Sequence, residues 1–395
     1  MRNIKALLFL VLLLVVGAAK ADVATADKVV IGSLEVVPGS DEVFSFTVSL
    51  EGSDVYYTAY QVDFQFPDGL EPAYTNKGAL RVSMVKPSLY PYSIEEEENE
   101  DGEIEEVKSY THTLSCAFNE ENTLRVAVLS TSNEEFTKTS GNLFKVYVKA
   151  LPYLKPGDVE IKVKNVMFVG KDEVKHNAED YVSTEVQAAP TSTVTLKVSA
   201  SNKYGTCILP FDYELPADGS LEAYGCSEYA DDALLLEEVT ELAAYTPYIL
   251  YSETGFSATL TGYVDASKYP AGGIAVSGHL RGALVQTELD EASCYVMQNQ
   301  GSGPMFYQVD PTSPFVLAAG KCYVEMPTGI KAKALRIGGA TTSIHNLQFT
   351  IHKEGEGSPQ VINHKSEIIN ILGQPVERML PGHIYIVNGR KVIGK

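Results

Sequence analysis

Tryptophan is absent from the 395 residues, and the patterns that announce common catalytic chemistries are absent with it. There is no Gly-x-Ser-x-Gly elbow, no phosphate loop ending in Gly-Lys-Ser/Thr, and no Gly-x-Gly-x-x-Gly after a strand. Serine-hydrolase, nucleoside-triphosphate and dinucleotide chemistry therefore have no motif to rest on. The seven histidines (His112, His176, His279, His345, His352, His364 and His383) are scattered, with no His-x-His or His-Glu-x-x-His spacing that would assemble a metal ion or a general base. No Cys-x-x-Cys pair exists, which argues against zinc. Positive charge is also scarce, with 31 Lys and Arg against 51 Asp and Glu. Such a surface repels a phosphate backbone, so nucleic acid is excluded as a partner. The expectation is a chain without catalytic residues, metal or cofactor; a hydrolase built on two lone carboxylates leaves no sequence signature and stands as the weakest alternative.

Long apolar runs are likewise missing, except at the N-terminus. Arg2 and Lys5 precede an apolar stretch from Ala6 to Val16, followed by Gly17, Ala18, Ala19, Lys20 and Ala21. That stretch is short for a membrane span, and the small residues form a cleavage site, so residues 1–21 read as a secretory signal cut between Ala21 and Asp22. Its removal leaves 28 basic against 51 acidic residues, a net charge of about −23. The remaining length predicts two or three domains. Export permits disulfides. Of the five cysteines, Cys207, Cys226, Cys294 and Cys322 fall in one segment and allow two bridges in three pairings, while burial as small apolar side chains is the other reading; Cys116 stands apart.

What is present is period-two alternation. Phe44, Phe46, Val48 and Leu50 share one face of a strand, and Tyr60, Val62, Phe64 and Phe66 share another that ends at Pro67-Asp68-Gly69. Further strands are expected over 79–85, 110–118, 123–129, 143–150, 159–168 and 192–198, an all-β pattern that suits a two-sheet sandwich. A helix is a candidate at Asp231–Leu242, although Val239 and Thr240 weaken it. Between Glu95 and Glu106 lie nine acids. Glu97, Asn99, Asp101, Gly102 and Ile104 fit positions of a calcium loop, but Lys108 stands where the bidentate Glu belongs, so a solvated acidic loop is expected and no metal. Sugar binding rests on aromatic faces, and without tryptophan the candidates are tyrosines. Tyr60 is expected in the core by its phase with Val62 and Phe64; Tyr57, Tyr90 and Tyr92 are expected exposed as a binding surface, against the alternative of ordinary strand tyrosines.

Three segments resemble known families. The succession VFSFTVSL, TAYQVDFQFPDGLEP, NTLRVAVLS and GNLFKVYVKA, from Val43 to Ala150, resembles the cohesin-type jelly-roll sandwich, related to carbohydrate-binding modules, and the resemblance spans roughly residues 28–198. It implies binding of a protein module or a glycan, and no catalysis. The strings YGTCILPFDYELP, AYTPYILY, CYVMQNQGSGPMFYQV and LAAGKCYVEMP, within 203–337, resemble a small β-domain of secreted Bacteroidota proteins that implies no particular chemistry. After a polar linker at 341–365, the terminal IINILGQPVERMLPGHIYIVNGRKVIGK resembles the sorting domain of type IX secretion, with His383 inserted and Gly394 departing from the family pattern. Within it Asn388-Gly389 is a type I′ turn signal between two short strands. The expected layout is a cohesin-like sandwich at 22–200, a secreted β-domain at 201–340 and a sorting domain at 366–395. The implied partners are a polysaccharide or surface protein, and the secretion machinery through the C-terminal domain; the implied location is secreted or on the outer-membrane cell surface. A structural or assembly protein without a glycan ligand is the alternative function.

Overall fold

The computed structural model describes residues 23–338, apart from 53, 86–88, 99–103, 120, 231–232, 302, 328–329 and 331, together with short C-terminal strands within 368–393. Among the described residues there is no α-helix, and the helical elements are two single 3-10 turns, Ala266–Lys268 and Ala271–Gly273. The chain is an all-β protein, as its alternating pattern requires.

The first unit is a two-sheet sandwich. Its strands are β1 (Val23–Ala24), β2 (Lys28–Ile31), β3 (Leu34–Val36), β4 (Phe44–Glu51), β5 (Tyr57–Gln65), β6 (Leu70–Pro72), β7 (Val82–Met84), β8 (Tyr92–Glu98), β9 (Ile104–Tyr110), β10 (His112–Phe118), β11 (Thr123–Ser130), β12 (Gly141–Ala150), β13 (Gly157–Gly170), β14 (Lys175–Asn177) and β15 (Tyr181–Ala188). One sheet runs β1-β14-β13-β5-β11-β10, with β15 and β3 joined through β13; the other runs β2-β4-β12-β6, with β7 also on β12. The inward faces are those the alternation marked. Phe46, Val48 and Leu50 of β4 meet Tyr60, Val62 and Phe64 of β5 in one core, each at most 1% exposed. Phe46 and Phe64 meet edge-on at 6.2 Å between ring centroids, an arrangement favoured by the ring quadrupoles.

Two expectations about the sandwich are corrected. The acidic segment is not a loop between strands. Apart from residues 99–103 it forms the antiparallel hairpin β8–β9, in which Glu96 faces Glu106 and Glu97 faces Glu105. Like charges directly opposite oppose pairing, which is why a charge-based reading disfavoured strands there. The strand expected at 192–198 does form, as β16 (Thr191–Val198), but it pairs along its whole length with Phe256–Tyr263 and buries Val194, Leu196 and Val198 in the core of the second unit.

That second unit contains a sheet of ten strands, starting at β17 (Tyr204–Ile208) and including Glu222–Ala230, Ala233–Val239, Pro247–Tyr251 and Lys321–Glu325. The expected helix at Asp231–Leu242 is instead the strand Ala233–Val239, antiparallel to Glu222–Ala230, with Leu234 and Leu236 turned inward. Period-two burial of two leucines against a neighbouring strand outweighs the helix propensity of Ala, Leu and Glu. The units meet at Tyr153: Tyr269 donates to its carbonyl at 3.0 Å, Ser192 bonds the carbonyl of Pro152, and a Cβ on Gly320 (φ +81°) would lie 2.1 Å from the Tyr153 hydroxyl. No cysteine is in a disulfide: Cys207, Cys226, Cys294 and Cys322 are buried thiols and Cys116 is half-buried. At the C-terminus, Ile384–Val387 pairs antiparallel with Arg390–Ile393, Val387 facing Arg390, as the sequence predicts. The Asn388-Gly389 turn, the linker at 341–365, the signal and its Ala21–Asp22 junction lie outside the described residues.

Candidate functional site

The tyrosines expected to form a binding surface do not form one. Tyr57 is fully buried, stacks on Phe168 with centroids 4.7 Å apart, and donates its hydroxyl to the Asp27 carboxylate. Tyr90 is 1% exposed; its hydroxyl lies 2.7 Å from that of Tyr60 and donates to the Leu143 carbonyl at 3.1 Å. Tyr92 is exposed, at the start of β8, its ring 5.7 Å from Tyr110. Tyr60, as its phase required, is in the core. The correction has a simple cause: Tyr57 and Tyr90 find buried oxygen partners, so their hydroxyls need no water.

Tyr60 and Tyr90 belong to a buried ring cluster with Phe136 and His112. Burial pushes both tyrosine hydroxyls above their ordinary range. Burial likewise pushes the His112 imidazole down to about 4, only partly offset by backbone groups of Thr58 and Glu134. Its Nδ1 lies 2.9 Å from the Thr111 hydroxyl, and its Nε2 makes no hydrogen bond among the described residues. This is a structural histidine that burial holds neutral, almost withdrawn from solvent.

The outer face of the β10-β11-β5-β13 sheet carries a different arrangement. Strand alternation turns Ala59, Gln61, Asp63 and Gln65 of β5 outward, beside Thr123, Arg125 and Ala127 of β11 and Thr113, Ser115 and Ala117 of β10. Most of these side chains are small, so the face is shallow. At its centre Asp63, 2% exposed, accepts two hydrogen bonds from Arg125, Nε to Oδ1 at 2.7 Å and Nη2 to Oδ2 at 2.6 Å. Asn165 adds a third, from Nδ2 at 2.9 Å, and Lys164 donates to Gln65 at 2.8 Å.

Asn165 reaches Asp63 because β13 bulges between Lys164 and Met167. Its backbone is left-handed there (φ 51°), and its N–H is taken by Asp180 at 2.9 Å. A bulge re-aims a side chain in this way, and asparagine tolerates the conformation. The hydrogen bonds that Arg125 donates to Asp63 push its guanidinium pKa above an already high range. Beside the cluster, Phe118, Asn119 and Glu121 help to enclose an open hollow of about 430 Å³. Chemically the arrangement is a fixed, charged fork on a shallow polar surface, suited to contact with another surface and lacking a nucleophile paired with a base.

Sequence reading passed over Asp63, Arg125 and Asn165. One signal was present. Lys164 and Asn165 are consecutive polar residues between Val163 and Val166, an interruption of alternation that marks a bulge.

The sequence matches no protein-family model and no curated protein. Among the solved structures similar to the chain are cohesin modules. A non-cellulosomal cohesin from the archaeon Archaeoglobus fulgidus is 12% identical, with 42% of this chain and 92% of that one covered, at a TM-score of 0.27. A cohesin module of a Clostridium perfringens family 33 glycoside hydrolase is 13% identical over 43% of this chain and all of that one, at 0.29. A type I cohesin in complex with dockerin from Clostridium thermocellum is 13% identical over 42% of this chain and all of that one, also at 0.29.

Proposed function

We propose that the chain is a non-catalytic binding protein whose N-terminal sandwich docks a small folded protein module on the outer face of β10, β11, β5 and β13. The observation that carries this reading is the Asp63–Arg125–Asn165 cluster. A carboxylate almost withdrawn from water on the outward side of a sheet, locked by a two-pronged guanidinium and an amide re-aimed by a bulge, is a rigid polar centre surrounded by small side chains. A partner can lie flat on such a face, meet Arg125 at its middle and displace little ordered side chain, which keeps the entropic cost of association low. The resemblance of residues 28–198 to cohesins makes a dockerin-type module the first partner to try. The glycan surface built on Tyr57, Tyr90 and Tyr92 is not retained, since two of its members are core.

We further propose export, and display at the outer-membrane surface through the secretion machinery, on the strength of residues 1–21 and 366–395. The docking test is titration calorimetry of the purified chain against a panel of dockerin-type modules, with Ala127→Arg as the control. The expected result is a saturable complex that the bulky cation weakens by at least about tenfold, as loss of a central contact does. Binding unaffected by Ala127→Arg would remove the face from consideration.

A further inference from the structure

The outward side of the other sheet gathers positive charge in a chain that is strongly acidic overall. Lys145, Tyr147 and Lys149 alternate along β12 and point away from the core, while Phe144, Val146 and Val148 fill it. Successive outward residues of a strand stand about 7 Å apart, so the two lysines span about 14 Å. Arg81 lies over the Tyr147 ring, its guanidinium carbon 4.2 Å from the centroid. Thr47 and Ser83 flank Lys145, and Ser45 flanks Tyr147. Lys149 then enters an open cleft of about 440 Å³ between the two units, where Lys197 and Lys321 also project. Two acids share that end: Glu71, opposite Lys149, and Asp41.

None of Arg81, Lys145, Lys149, Lys197 and Lys321 makes a salt bridge among the described residues. Five unpaired cations along one path, two of them set at strand spacing and one braced on an aromatic ring, form a track for a negatively charged chain. We infer that this track binds a linear anionic polysaccharide whose charge is carried by sugar carboxylates. The neighbours of the cations decide between polymer classes. Besides Glu71 and Asp41 at the cleft end, they are the hydroxyls of Ser45, Thr47 and Ser83, which match sugar hydroxyls, whereas the apolar side chains of β4 and β12 point into the core and offer, among the described residues, no apolar pocket of the kind an acidic peptide uses for its anchors. The track lies on the opposite sheet from the docking face and stands or falls independently of it.

The test is calorimetry of the purified chain with polygalacturonate in about 0.15 M salt, where screening reduces repulsion from acidic patches beyond roughly 8 Å. Saturable binding is expected, lost in 1 M salt and weakened at least about tenfold in the double variant Lys145→Glu/Lys149→Glu, since each substitution turns an attraction on the track into a repulsion. Dextran and polyglutamate are expected to give no saturable heat. Circular dichroism and the urea midpoint of the variant establish that it folds, and Lys321→Glu, outside the sandwich, gives a second reading with a smaller loss. Absence of binding to polygalacturonate, binding unchanged in the folded variants, or equal binding of dextran or polyglutamate would each overturn the inference.

Discussion

Acidification should unfold the sandwich partly through His112. The imidazole is 3% exposed and packed between Tyr90 and Phe136, and burial pulls its pKa to about 4 from the ordinary 6.5. The folded state thus resists protonation that the unfolded chain accepts. Between the two values the unfolded state binds more protons, so stability rises with pH there: the contribution is complete above about 6.5 and is lost as pH falls through 4. Integrated from pH 7 to pH 4, the difference amounts to about 3 kcal/mol, a large part of the stability of an ordinary domain. Tyr90, the titratable group packed against the ring, is neutral throughout this range as any tyrosine is, and burial moves its titration further away.

His112→Phe removes the titration and keeps a ring in the cluster. Urea unfolding followed by circular dichroism at pH 7 and pH 4 should show wild type losing about 3 kcal/mol more than the variant in the sandwich transition. Carboxylates titrate in both proteins and cancel in the difference. In parallel, the His112 ring resonances should hold their neutral positions at pH 5. Stability curves that run parallel from pH 7 to pH 4, or a His112 ring that titrates near 6.5, would refute the reasoning.

Four further outcomes follow from the same structure. Tyr57→Phe leaves the buried Asp27 carboxylate without its hydroxyl donor and should cost about 1–3 kcal/mol in urea unfolding at pH 7. Arg125→Ala strands Asp63 with Asn165 as its remaining side-chain partner and should cost about 3 kcal/mol, while also weakening any partner held on that face. Gly320→Ala forces a methyl group into the Tyr153 hydroxyl at a positive φ and should lower the thermal midpoint, with a cost of about 2 kcal/mol or more. Thiol titration without reductant should find all five cysteines after denaturation; in the native protein Cys116, half-buried with its pKa raised by burial, should react slowly, and the four buried thiols far more slowly still.

Alternation by itself determined which residues face the core of the sandwich. Phe46, Val48 and Leu50, and opposite them Tyr60, Val62 and Phe64, are inward in the structure because a strand's side-chain period of two leaves no other way to bury them together. The terminal strand pair Ile384–Val387 and Arg390–Ile393 was legible for a similar reason: the Asn-Gly signal between two short apolar runs is local, and the two strands pair antiparallel. Tertiary structure alone decided the rest. Whether β16 joins the first or the second core depends on which distant strand offers it hydrogen bonds, and Phe256–Tyr263 does. Whether Tyr57 and Tyr90 are exposed depends on buried acceptors that come from other strands: Asp27 is 30 residues from Tyr57, and Leu143 is 53 residues from Tyr90. The Asp63 cluster joins residues 62 and 102 positions apart, and the cationic track crosses from one unit to the other. Each rests on polar side chains whose partners are fixed by register, and register is set by the packed core rather than by any local run of sequence.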